Sequence, residues 1–231
     1  MEVSSKKLLE KLYSIITPEK REKFNRIASE RTRHITVAVE NLYQEHNASA
    51  VVRSCDCFGI QDVHIIEKTN QFQLNREISM GAAKWVNHEH YFDEKYPTQK
   101  CINTLKDKGY KIVATTPHTD KTINSIDLNE PIALFFGTEK SGLSETAFSL
   151  ADEHIKIPMH GFTESFNISV SAAICMQVLR QRLEDQNDFE WKLNEAEQID
   201  LKIDWCKNII KNPDKAINHF KNLIRLGDVE G

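Results

Sequence analysis

The chain has 231 residues, 40% of them hydrophobic and 28% charged, with a formal net charge of −4. This is the make-up of a globular protein: no apolar run reaches the ~20 residues of a membrane span, and the charged, amphipathic start MEVSSKKLLEKLYSII does not read as a secretion signal, so a cytoplasmic protein without a membrane partner is expected. The five Cys, with Cys55 and Cys57 separated by one residue, offer neither a disulfide framework nor Cys-x-x-Cys zinc spacing, which leaves buried reduced thiols and no metal.

Charge is unevenly spread. Residues 6–33 carry nine Lys or Arg against four Glu, a basic arm on an acidic body and a pattern suited to phosphate contacts or simply to a solvated helix face. In TPEKREKFNRIASER, Thr17 as N-cap, Pro18 at the first helical position and Glu19 in the first turn predict a basic helix. HITVAVENL alternates Ile35, Val37 and Val39 with Thr36 and Ala38 and predicts a strand; NASAVVRSCDCFG predicts a helix capped by Asn47 and ended by Gly59, and DVHIIE a second strand. A helix within PTQKCINTLKDKG, strands YKIVATT and PIALFFG, a short helix within LSETAFSLADE, a strand HIKIPM and a long helix within NISVSAAICMQVLRQRLE follow. Beyond residue 186 the chain turns acidic and Asn-rich, with two short helices around NPDK at 212–215. Alternating strands and helices imply one α/β domain, residues 34–185, with a largely parallel sheet covered on both faces, between a helical N-terminal arm (1–33) and a helical C-terminal extension (186–231).

Open parallel sheets bind ligands beyond the carboxyl ends of their strands. Thr115, Gly137 and Met159 end three predicted strands, and Asn47 and Arg53 follow the first. Each has a bland reading as a turn former, helix cap or surface charge. Their gathering at one edge is the argument for a site.

Three stretches carry a family likeness. ENLYQEHNASAVVRSCDCFGI, FFGTEKSGLSE and IPMHGFTESFNISVSAA resemble, in order and spacing, the three motifs of the SpoU (TrmH-like) 2′-O-methyltransferases of the SPOUT class. The basic helix before the first motif, SMGAAKWV and the RQR at 180–182 look like the branch that methylates the D-loop guanosine at position 18 of tRNA. The resemblance implies a SPOUT fold with a C-terminal trefoil knot, a homodimer whose sites draw on both subunits, tRNA as substrate and S-adenosylmethionine as methyl donor.

It also implies roles. Thr115, Gly137, Ile157, Met159 and Phe166 would line the cofactor pocket, where apolar walls suit an adenine and a sulfonium without a competing positive charge; the family more often has Leu at Phe166. Arg53 would be the catalytic residue, gripping a phosphate through its guanidinium fork and aligning the ribose oxygen, since a guanidinium keeps its proton at neutral pH. Asn47 would hold Arg53 or the ribose, Glu139 would anchor the second loop or pair with a basic group near the substrate, and Ser165 and Asn167 would bond the RNA backbone. Arg21, Arg26, Arg31, Arg33, Arg180 and Arg182 are candidate phosphate contacts. Two rivals are a non-catalytic RNA-binding module on the same fold and a nucleotide-dependent oxidoreductase; against the latter, no Gly-x-Gly-x-x-Gly follows a strand.

Overall fold

A computed structural model describes residues 4–42, 45–67, 79–92, 95–138, 141–186 and 188–227. The chain divides into two compact units, Thr32–Trp191 and Met1–Arg31 together with Lys192–Gly231.

The first unit is built on a parallel sheet of six strands: β1 (Ile35–Glu40), β2 (Asp62–Glu67), β3 (Asn87–Phe92), β4 (Lys111–Thr115), β5 (Ile132–Phe136) and β6 (Glu153–Ile155), in the order β3-β2-β1-β5-β4-β6. Its helices are α3 (Glu45–Cys57), α4 (Pro97–Asp107), α5 (Glu145–Leu150) and α6 (Ile168–Glu184). The period-2 alternation of β1 works as the sequence suggests. Ile35, Val37 and Val39 join a core with Val51, Val52 and Cys55 of α3 and with Cys175, Met176 and Leu179 of α6. Ala38 faces the other way, with Cys101, Ile102 and Leu105 of α4 and Ala147 of α5. Each fully buried aliphatic side chain contributes roughly 1.5–3 kcal/mol over its exposed state, so the two cores hold the sheet between its helix layers.

Several elements depart from expectation. β3, NHEHYF, was not predicted; it lies at one end of the strand order with only Tyr91 buried, so it lacks an apolar alternation. The strand HIKIPM stops at Ile155, because Pro158 has no N–H for a ladder and residues 157–160 are irregular. Asn47 is not a cap but lies inside α3, and is 6% exposed. Of the thiols, Cys55, Cys101, Cys175 and Cys206 are buried and Cys57 is exposed, all free; burial pushes Cys175 up to about 12 and Cys206 to about 11.

The second unit comprises α1 (Ser5–Tyr13), α2 (Pro18–Ala28), α7 (Glu195–Lys207) and α8 (Pro213–Gly227). Thr17 caps α2 as predicted, accepting from the Lys20 N–H, and Asn194 with Glu197 forms a reciprocal capping box on α7. Leu8, Leu9, Leu12, Phe24, Leu201, Trp205 and Ile217 are buried in this unit, and Phe24 meets Trp205 edge-on at 5.3 Å between ring centroids. No helix among the described residues is long and apolar enough to cross a membrane.

Candidate active site

A cavity of about 430 Å³ opens at the carboxyl ends of β4, β5 and β6, where the chain leaves β5, passes β4 and returns as β6. The volume falls in the ~300–1,000 Å³ range of small-molecule sites. Its walls bring together all five residues named for the cofactor pocket, Thr115, Gly137, Ile157, Met159 and Phe166, and add Ser165.

One wall is a short loop closed on itself. Thr138 and Gly142 exchange two backbone hydrogen bonds of 3.0 Å, and the Thr138 hydroxyl meets that of Ser141 at 2.7 Å. Gly142 sits at φ +66°, in the left-handed region. A Cβ on Gly137 would lie 2.1 Å from the Gly142 carbonyl carbon, so only glycine lets the loop fold back over the strand end. Thr115 donates its hydroxyl across the sheet to the Phe135 carbonyl at 2.8 Å, which fixes its rotamer and leaves its oxygen able to accept.

The remaining candidates stand elsewhere. Asn167 caps α6, accepting from the Ser169 N–H at 2.9 Å, while its amide nitrogen donates to the Asn47 side-chain oxygen at 3.2 Å, tying the third motif to α3. Arg53 is exposed on α3, and neither it nor Asn47 nor Asn167 belongs to the cavity wall of its own chain. Glu139 lies outside the described residues. The expectation of a wall free of positive charge is corrected: Lys156 lines the cavity with His118 and Glu164. Lys156 lies 3.8 Å from Asp120, whose side chain is fully exposed, so that pairing is weak. His118 follows a predicted strand end and Glu164 lies within the third motif, so position along the chain was the available signal for these two, whereas Lys156 falls inside the predicted strand HIKIPM and gave none.

The six arginines divide. Arg26 is exposed at the end of α2. Arg21 donates twice to the Ile16 carbonyl, at 3.2 and 3.0 Å, bracing the turn between α1 and α2. Arg33 pairs with Asp62 at 2.9 Å. Arg180 pairs with Glu184 at 2.9 Å and lies over the Trp191 ring at 4.5 Å. Arg182 donates to the carbonyls of Ile123 and Ile126 at 3.1 and 2.6 Å. Arg31 is 1% exposed, 5.5 Å from the Trp205 ring centroid, and in this fold cannot meet a phosphate from solvent. For Arg31, a structural role replaces the expected phosphate contact.

Comparison with known proteins places the fold. Residues 34–177 match the SpoU rRNA Methylase family. Over 203 residues the chain is 39% identical to the tRNA (guanosine(18)-2'-O)-methyltransferase of Borreliella burgdorferi, covering 87% of this chain and 90% of the relative. The crystal structure of the A. aeolicus TrmH/SpoU tRNA modifying enzyme superposes with a TM-score of 0.73 at 29% identity, covering 84% of this chain and 98% of that one. The SpoU methyltransferase AviRb from Streptomyces viridochromogenes, in complex with the cofactor AdoMet, shares the fold at a TM-score of 0.60 and 18% identity, over 70% of this chain and 62% of that one. A parallel six-stranded sheet with a cavity at its carboxyl edge is thus the SPOUT methyltransferase fold, and the chain belongs to the SpoU methylase family.

Proposed function

We propose that this protein transfers the methyl group of S-adenosylmethionine to the ribose 2′-hydroxyl of guanosine 18 in the D-loop of tRNA. The observation that carries the reading is the match to a tRNA (guanosine(18)-2'-O)-methyltransferase over 90% of that relative's length. The cavity supports it, with Ile157, Met159 and Phe166 as apolar surface for the faces of an adenine and Gly137, Thr138, Gly142 and Leu143 also on its wall.

S-adenosylmethionine supplies a methyl already activated on a sulfonium, so the protein has to bind, align and exclude water. Thr115, Gly137, Thr138, Gly142 and Leu143 form one closely folded part of the wall, and Ile157, Met159 and Phe166 supply the apolar surface. Arg53, exposed and off the wall of its own chain, serves a second copy: its fork grips the phosphate beside the target ribose and sets the 2′-oxygen in line. Asn47 and Asn167 hold α3 against the start of α6, and Ser165, on the cavity wall, bonds the RNA backbone. Arg26, with Arg21 and Arg33 beside their structural bonds, provides phosphate contacts that position the tRNA. The same reading includes a homodimer, a trefoil knot in the C-terminal half of the α/β unit, a role for Glu139 in the second loop, and work in the cytoplasm.

The test is incubation of the purified protein with labelled S-adenosylmethionine and unmodified tRNA, followed by mapping of the modified nucleotide. Label at the ribose of guanosine 18 is expected. Binding to tRNA with no label would favour the RNA-binding module, and label at another nucleotide would move the substrate.

A further inference from the structure

Glu40 ends β1 and is 5% exposed, on the sheet face shared by the apolar residues Ala38, Ile66, Ile102 and Ala147. A carboxylate in such surroundings persists only with its oxygens satisfied. Glu40 accepts from the Thr98 hydroxyl at 2.5 Å and from the Ser144 hydroxyl at 2.7 Å with one oxygen, and from the Ser144 backbone N–H at 2.7 Å with the other. Two of these donors belong to one residue. Ser144 is the N-cap of α5, accepting from the Ala147 N–H at 3.1 Å, and it directly follows the cavity-lining loop that ends at Leu143.

That loop is anchored at its two ends. At the start, Gly137 continues β5; in between, Thr138 and Gly142 bond to each other. At the far end Leu143 packs against the core on the Ala38 face and Ser144 bonds to Glu40. Glu40 also lies at the point where β1 leads toward α3, with Asn47 and Arg53. One buried carboxylate therefore joins the strand exit of the first motif to the loop of the second.

We infer that Glu40 is a positioning residue for the cofactor wall: by clamping Ser144 it sets how far the wall residues Ser141, Gly142 and Leu143 stand from the strand ends at Thr115 and Gly137, and so sets affinity for S-adenosylmethionine. The inference rests on the functional reading above for the identity of the ligand. Thr98 shares the carboxylate but lies in the first turn of α4, away from the cavity wall, so its bond supports packing without setting the loop.

The experiment uses full-length wild-type protein, Glu40→Gln, Ser144→Ala, the double variant and Thr98→Val, each measured for S-adenosylhomocysteine binding by calorimetry, for KM and kcat in methyl transfer, and for melting temperature. Glu40→Gln should weaken binding and raise the S-adenosylmethionine KM by about tenfold, the scale of a missing hydrogen bond to a charged group, with kcat nearly unchanged. Ser144→Ala should act in the same direction, and the double variant should be less severe than the product of the two, because both changes loosen one clamp. Thr98→Val should lower the melting temperature and leave the affinity as in wild type. Wild-type affinity in folded Glu40→Gln, or independent effects in the double variant, would overturn the inference; if Glu40→Gln does not fold, wild-type affinity in Ser144→Ala does so. A wild-type protein that binds no S-adenosylhomocysteine would instead overturn the functional reading.

Discussion

The amide of Asn167 is divided between two tasks: its oxygen caps α6, and its nitrogen donates to the oxygen of Asn47 at 3.2 Å, 120 residues away in sequence. The first task is helix stability and the second is registry between α3, which carries Arg53, and the segment that walls the cavity. Substitution can separate them. Asn167→Ala loses both and should cost about 0.5–2 kcal/mol for the cap alone in urea denaturation. Asn167→Asp keeps an acceptor at the cap but has no donor for Asn47, so it should retain near wild-type stability while methyl transfer falls by roughly tenfold. Equal activity in Asn167→Asp and wild type would show that the Asn47 bond is dispensable.

Arg53 tests the sharing of sites between copies. Because the side chain is exposed and off its own chain's cavity wall, Arg53→Ala should melt as wild type and bind S-adenosylhomocysteine normally, yet lose at least ~10²-fold in kcat through poorer alignment and charge stabilisation. Mixing it with Gly137→Ala, each strongly impaired alone, should restore part of the activity, since one mixed site then combines an intact cavity with an intact Arg53. No restoration in a mixture shown to exchange subunits would place both groups of one site in one chain.

Gly137 itself has no room for a side chain. A Cβ there would sit 2.1–2.2 Å from the backbone of Gly142 and Leu143, so Gly137→Ala must push the loop off the strand end. Binding of S-adenosylhomocysteine should weaken by more than about tenfold, with a melting temperature a few degrees lower at most, because the loop is partly exposed and contributes little core. Unchanged binding by calorimetry would mean that the loop does not touch the ligand.

Much of this arrangement was legible in the residues, and the remainder was hidden for identifiable reasons. β1, β2, β4 and β5 are buried apolar runs bounded by turn residues, so periodicity found them; β3 shows Asn87, His88, Glu89 and His90 to solvent and gives no such pattern. The strand ends at Thr115 and Gly137 pointed to the cavity edge, but Lys156 on its wall and the fold-back of Gly142 onto Gly137 depend on tertiary contacts that no spacing encodes. The basic arm was evident as a charge count. That Arg31 is buried near Trp205 while Arg26 is exposed could not be read from charge, because a long cationic side chain can cover an aromatic ring as readily as it meets solvent.

Those two arginines should consequently fail in opposite ways. Arg26→Ala should weaken tRNA binding and reduce the slope of log affinity against log salt by about one unit for each phosphate the protein no longer neutralises, without changing the melting temperature. Arg31→Ala removes a buried side chain and its packing on Trp205, leaves a cavity, and should destabilise by roughly 2–5 kcal/mol. Titrations at several salt concentrations beside thermal melts separate the two; a salt-slope change in a fully folded Arg31→Ala would return that residue to the RNA surface.

Acid sensitivity follows from His64 on β2. Burial is the largest influence and holds its imidazole below the ordinary value of 6.5; Glu89 and Asp62 act in the opposite sense and Lys108 adds to the depression. The ring nitrogen lies 3.3 Å from the Tyr91 hydroxyl and 3.6 Å from the half-exposed Glu89 carboxylate. With the folded value depressed, the unfolded chain binds a proton that the folded chain refuses, so the full stability is present above 6.5 and falls as the pH drops from there through the folded value. His34 is depressed by burial as well, so it adds to the same acid side. Melting temperatures taken between about pH 8 and pH 5 should decline below ~6.5, and His64→Gln should make that decline shallower without removing it. An identical pH profile in His64→Gln and wild type would assign the acid lability to other groups.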